Sequence, residues 1–107
     1  MPFIPKHNQR RGDDMSESLL SRTKKCYICG ALNVEKHHVF FGTAKRRISD
    51  MEGCWLWLCP EHHRGASGVH FDKKLCRKIQ MKCEQEWISR NKSNKEGFRN
   101  IFGRNYL

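Results

Sequence analysis

Three groups of chemically capable side chains stand out along the chain: Cys26-x-x-Cys29, the adjacent pair His37-His38, and Cys59-x-x-His62 followed at once by His63. The two pairs with two-residue spacing offer three thiolates and an imidazole, the kind of set that Zn²⁺ takes in a closed tetrahedral site. The remaining histidines suit a different chemistry. Neutral imidazole, with an unperturbed pKa of about 6.5, can take a proton from water near neutral pH. A divalent cation held by two other imidazoles can neutralise charge on a phosphate and its leaving oxygen. Hydrolysis of a phosphodiester is a reaction that can use both.

The elements that must position these groups follow from local pattern. Cys26-Tyr-Ile-Cys29-Gly30 suits a tight turn, a zinc knuckle whose backbone amides point at two thiolates. Val34 to Phe41 (VEKHHVFF) predicts a strand ending at Gly42, and Cys54 to Leu58 (CWLWL) a short buried strand pairing with it as a hairpin. Thr43 to Gly53 between them, polar and basic, reads as a long connection. Pro60 suits the first turn of a helix carrying Cys59, His62 and His63, interrupted by Gly65 and Gly68. Asp72, an N-cap or first-turn acid, opens a second helix running to about Arg90, with Cys76, Ile79, Cys83 and Trp87 as its apolar stripe and Leu75 alongside. A knuckle pair and a helix-start pair describe a treble clef, so the fold class is α+β: a small zinc-stabilised domain with a following long helix. Residues 1–22 read as a flexible basic arm with a helical turn around Ser16–Leu20, 23–92 as the domain, and 93–107 as a tail whose FRNIFGRNYL segment docks back.

Composition agrees with a stapled, polyanion-binding domain. A chain of 107 residues buries little surface, and a large apolar core is not expected from a hydrophobic share of 37%. Lysine and arginine number 21 against 11 acids, a net charge of +10 that favours nucleic acid; the plain alternative is a basic protein with no such partner. No stretch is apolar enough to span a bilayer, and the N-terminus lacks the apolar core of a secretory signal, which points to the cytoplasm. There, cysteines serve more often as metal ligands than as disulfides. Cys76 and Cys83 suit core packing, whereas Cys54 suits either the hairpin core or a ligand position.

Cys-x-x-Cys, His37-His38 on the first strand and Leu58-Cys59-x-x-His62-His63 together resemble the HNH endonucleases of the ββα-metal type, in particular small phage and prophage HNH proteins with a structural zinc. The resemblance spans about Cys26 to His70. It implies a ββα-metal finger in which His38 is the general base and His37 and His63 are ligands of a catalytic Mg²⁺, Mn²⁺ or Ni²⁺. It implies DNA as substrate, the bacterial host cytoplasm as location if phage-encoded, and recombination or packaging proteins as partners. The family's middle Asn falls on Cys54, whose thiol is a weaker hydrogen-bonding group.

Other residues are placed by their neighbours. His70 is a third metal ligand, a phosphate contact or a structural histidine. Arg64 beside His63 is suited to steadying a phosphate. Lys45, Arg46 and Arg47 suit either contacts to a nucleic-acid backbone or an ordinary solvated loop. Adjacent residues of a regular strand point to opposite faces, so His37 and His38 can address one phosphate only if the strand ends, bulges or twists there. The leading expectation is a metal-dependent DNA endonuclease. A catalytically silent nucleic-acid-binding zinc module and a zinc domain for protein contact are the alternatives.

Overall fold

The computed structural model of the chain describes residues 17–42 and 44–107. Its centre is a two-stranded antiparallel sheet of β1, Glu35–His38, and β2, Trp55–Leu58. Glu35 lies opposite Leu58, Lys36 opposite Trp57, His37 opposite Leu56 and His38 opposite Trp55. Opposed residues share a face, so Glu35, His37, Leu56 and Leu58 form one side and Lys36, His38, Trp55 and Trp57 the other. β1 is half the length that its composition predicts. Its β-branched and aromatic continuation, Val39 and Phe40, is fully buried, and the pairing gives out after the Val39 amide donates to the Cys54 carbonyl.

The connection between the strands is a helix, α1, Lys45–Glu52, which corrects the expectation of an irregular loop. No apolar stripe announces it. What holds it is polar: buried Ser49 donates from Oγ to the Phe40 carbonyl at 2.8 Å, and Trp87 Nε1 donates to Glu52 Oε1 at 2.9 Å. Gly53 ends it with φ 79°, and a Cβ there would also press on the Glu17 carbonyl. The short α2, Pro60–His63, has Cys59 at its N-cap position and proline at its start, as its sequence implies.

Lys73–Asn91 forms the long helix α3, whose N-cap Asp72 accepts hydrogen bonds from the Lys74 and Leu75 amides at 3.1 and 3.0 Å. Ile79, Cys83 and Trp87 are buried on its inner face as predicted, and Cys76 is partly buried. A fourth helix, α4, Lys95–Phe102, begins within the polar NKSNKEG stretch because Asn94 caps it through the Gly97 amide. Its Phe98 and Phe102 pack with Phe40, Trp87 and Tyr106, so the C-terminal segment docks back as a short helix and completes the core. Each fully buried phenylalanine contributes about 1.5–3 kcal/mol, which gives the domain more apolar support than its composition suggests. Buried Glu84 on α3 fastens the end of the chain, accepting from the Tyr106 and Leu107 amides at 2.6 and 3.2 Å and from Asn105 Nδ2 at 2.8 Å.

The described end of the expected N-terminal arm is packed. Leu19 donates its amide to the Gly53 carbonyl at 2.9 Å, Ser18 bonds the Trp55 carbonyl, and Ser21 Oγ receives the Trp57 amide at 3.2 Å. Residues 17–20 make no helical turn, because their groups serve β2 and α1; residues 1–16 of the arm, Ser16 included, lie outside the described residues. No helix among the described residues is long and apolar enough to cross a membrane.

Candidate metal centres

Cys26, Cys29, Cys59 and His62 converge, their ligand atoms all within 4.8 Å of one another. Cys29 and Cys59 Sγ are 3.7 Å apart, and His62 Nδ1 lies 3.3 Å from Cys59 Sγ and 3.7 Å from Cys26 Sγ. A zinc tetrahedron built on Zn–S of about 2.3 Å and Zn–N of about 2.0–2.1 Å has edges of about 3.8 and 3.6 Å. The four groups therefore fit a zinc ion, with Nδ1 as the imidazole ligand. The knuckle closes where the Gly30 amide returns to the Cys26 carbonyl at 2.9 Å, and the Gly30 φ of 82° then turns the chain so that the Ala31 carbonyl accepts the Cys26 amide at 2.8 Å. Burial opposes ionisation of Cys26, but the amides of Cys29, Cys59 and Ile28 and the His62 ring outweigh it and lower its pKa to about 6. A thiol already inclined to ionise is a ready zinc ligand.

The second centre lies on the other side of α2. His37, His63 and His70 bring ligand nitrogens within 4.8 Å of one another. Each comes from a different element: β1 supplies His37, α2 His63, and the loop after Gly68 His70. That loop is pulled in by the Val69 amide, which donates to the His62 carbonyl at 2.9 Å. A Cβ on Gly68 would sit 2.8 Å from that carbonyl's carbon and oxygen, so the close approach requires glycine. His63 Nδ1 is 2.7 Å from Glu35 Oε1. The carboxylate can only accept, so Nδ1 carries the hydrogen and Nε2 is left to face a metal. Arg64 also binds Glu35, donating from Nε at 3.0 Å to Oε1 and from its terminal nitrogen to Oε2. Arg64 and then His63 hold the Glu35 pKa down at about 2.

His38 stands beside this triad, outside it. β1 ends at His38, and the two adjacent histidines, despite their opposite strand faces, line one cleft of about 380 Å³ with Lys36, Phe41, Arg46, His63 and His70. His38 Nε2 lies 3.0 Å from Asp50 Oδ1 of α1, and Lys36 binds the same oxygen. Of the basic residues expected to meet nucleic acid, Arg46 reaches the cleft; Lys45 and Arg47 lie on the same helix outside its lining, and Arg64 is engaged with Glu35. Cys54 faces the core, fully buried, so it belongs to neither centre. Burial, with Cys83 as its hydrogen-bonding neighbour, pushes its thiol pKa well up.

Glu35 and Asp50 escape the sequence reading. Glu35 precedes His37 by two residues on the same strand face, a signal that was available. Asp50 becomes visible only once α1 is known to be a helix packed on β1.

Burial first, then the nearby His63, His70 and His38, lowers the His37 pKa to about 3; burial and His63 lower that of His70 as well. A lowered imidazole pKa means the neutral, metal-binding form persists to lower pH. Three ordinary imidazoles at pH 6.5 would release about 1.5 protons on binding an ion. Loading this triad with Ni²⁺ at that pH is expected to release fewer than about 1.5 protons per ion. Calorimetry in buffers of different ionisation enthalpy measures the number, and a value at or above 1.5 contradicts the expectation.

The chain is thus a small α+β protein with a two-stranded sheet, a long helix and two Cys/His clusters able to hold metal ions. Comparison with protein-family models, with curated proteins and with solved structures returns no match.

Proposed function

We propose that the chain is a metal-dependent DNA endonuclease of the HNH type, built as a treble-clef, ββα-metal finger on a structural Zn²⁺ held by Cys26, Cys29, Cys59 and His62. The observation that carries this reading is the juxtaposition of His38 with the His37, His63 and His70 triad in one cleft. A divalent cation on the triad supplies charge neutralisation to the phosphate and its leaving oxygen. His37, His63 and His70 would hold that cation beside the bound phosphate. His38 is the general base. With Asp50 accepting the Nε2 hydrogen, the lone pair sits on Nδ1, and that nitrogen takes the proton from the attacking water. Arg46 at the rim of the cleft binds a flanking phosphate. Glu35 fixes the ring of His63 and is itself held by Arg64, so Arg64 supports the centre through Glu35.

The replacement of the family's Asn by Cys54 leaves the loop ordered by backbone. The Cys54 amide donates to the Ser49 carbonyl at 2.8 Å and its carbonyl receives the Val39 amide at 3.0 Å. The silent nucleic-acid-binding module remains the second reading, favoured by a fully buried Cys54 at the position of the family's Asn.

Supercoiled plasmid separates the two. The zinc-loaded protein, dialysed free of loosely held ions, is expected to leave plasmid intact and to nick it when Mg²⁺, Mn²⁺ or Ni²⁺ is added. Salt-sensitive binding with no nicking in any metal supports the silent module.

A further inference from the structure

On the face of the sheet away from Leu56 and Leu58, a groove of about 510 Å³ runs beside Trp55 and Trp57. That volume lies in the range of pockets that hold small organic ligands. Residues 18–24 form its wall, fixed to β2 by the Ser18 and Ser21 bonds described above. Its aromatic floor is a pair of indoles meeting edge to face at 5.3 Å, with Trp57 partly exposed. Arg22, Lys24 and Arg90 rim it, and among the described residues that line it Glu17 is the single acid. Lys24 holds its ammonium over the Trp57 ring, 5.0 Å from its centre, so a base reaches that face as Lys24 swings aside to a backbone phosphate.

We infer that this groove is a binding site for an unpaired, single-stranded DNA segment, continuous with the histidine cleft. The chemistry of recognition is that of single-strand binding proteins: a cationic rim tracks the backbone while an aromatic face accepts a base without regard to its identity. A duplex presents phosphates to such a rim but no open base face to Trp57. Continuity follows from register. Trp55 is opposite His38 and Trp57 is opposite Lys36, and Lys36 extends over the Trp55 ring at 4.7 Å while lining the histidine cleft. Trp55 and Trp57 are two residues apart, about 7 Å along the strand. A DNA strand with a phosphate beside His38 therefore has its next few nucleotides over the groove. This inference deepens the nuclease reading by naming the substrate as DNA with an unpaired stretch adjoining the target phosphate.

The test uses the full-length zinc-loaded chain carrying His38→Ala, so that binding is measured without cleavage. Fluorescence anisotropy compares a labelled 12-nucleotide single strand with a blunt duplex of the same sequence. The double variant Arg22→Glu, Lys24→Glu is expected to weaken single-strand binding at least tenfold and to flatten the log–log salt dependence by about 1.4, two phosphate contacts at about 0.7 each. Trp57→Leu is expected to weaken it about tenfold with the salt slope unchanged. Duplex affinity should move less than threefold in Trp57→Leu and should fall less than single-strand affinity in the charge variant, because duplex phosphates reach the rim without a base over Trp57. Equal losses on duplex and single strand, or no loss on either, overturn the inference. Thermal melting and zinc content verify that each variant is folded, and the exposed charge pair carries the test alone if Trp57→Leu does not fold. Plasmid nicking by the chain with His38 intact reports on the nuclease reading separately. Nicking with unaltered single-strand binding in the groove variants removes the groove alone. Selective loss of single-strand binding without nicking removes the nuclease and keeps the groove.

Discussion

Cys26→Ser is expected to abolish stoichiometric zinc and to unfold the region around both metal centres. Structural zinc sites in small finger domains contribute roughly 10–16 kcal/mol of apparent binding free energy at neutral pH, against a net stability of about 5–15 kcal/mol for a whole domain. Losing one of four ligands therefore removes a term as large as the total. The knuckle is bonded to the sheet through the Tyr27 amide and Trp57 carbonyl at 2.8 Å, and Cys26, Cys59 and Leu58 share one buried cluster. The loss consequently spreads into β2 and α2. The aromatic cluster of Phe40, Phe98, Phe102 and Tyr106 lies against α3 and α4 and can retain helix, so far-UV circular dichroism is expected to fall in part while the thermal transition drops by more than about 20 °C or vanishes. Metal analysis of the purified variant is the decisive measurement. One zinc per chain in Cys26→Ser would refute the ligand set.

His38→Ala and His70→Ala are expected to part chemistry from metal binding. His38 touches the cleft without belonging to the triad, so its removal should leave Ni²⁺ affinity within about twofold while plasmid nicking falls by about 10²–10⁴, the usual contribution of a general base. On the proposed reading, His70→Ala removes a ligand. Removing a supporting partner of a ligand typically costs about 10–100-fold in affinity, and loss of the ligand itself should cost at least the upper end of that. Nicking by His70→Ala should then recover in part at high metal concentration, which His38→Ala cannot do. Isothermal titration with Ni²⁺ and metal-dependence curves for nicking give both numbers. Unchanged Ni²⁺ affinity in His70→Ala removes it from the triad; persistent nicking in His38→Ala assigns the base elsewhere.

Much of the candidate site was legible because ligand chemistry imposes spacing. Two Cys/His pairs and the run His62-His63 can be read without coordinates, and α3 is announced by Ile79, Cys83 and Trp87 at helical period. What escaped depends on partners distant in sequence. α1 is held by Ser49 and Glu52, polar residues whose value lies in the Phe40 carbonyl and Trp87 indole that they meet. Glu84 reads as one more solvated acid until the Tyr106 and Leu107 amides come to it. The strand length was overestimated because Val39 and Phe40 have strand-forming side chains but are taken by the core. The opposed directions of His37 and His38 were foreseen as an obstacle; termination of β1 at His38 lets both rings border one cleft.

His62 and His63 are joined by a single peptide bond, yet they serve different clusters. A helix turns about 100° per residue, so that bond is the pivot from which one ring faces the cysteines and the other faces β1. Inserting or deleting one residue within Pro60–His63 would swing a ring away from its cluster. Sequence drift among descendants of this chain should therefore leave the length of that segment untouched. Length changes should collect in stretches such as Lys92-Ser93 between α3 and α4, where the exposed backbone serves neither cluster.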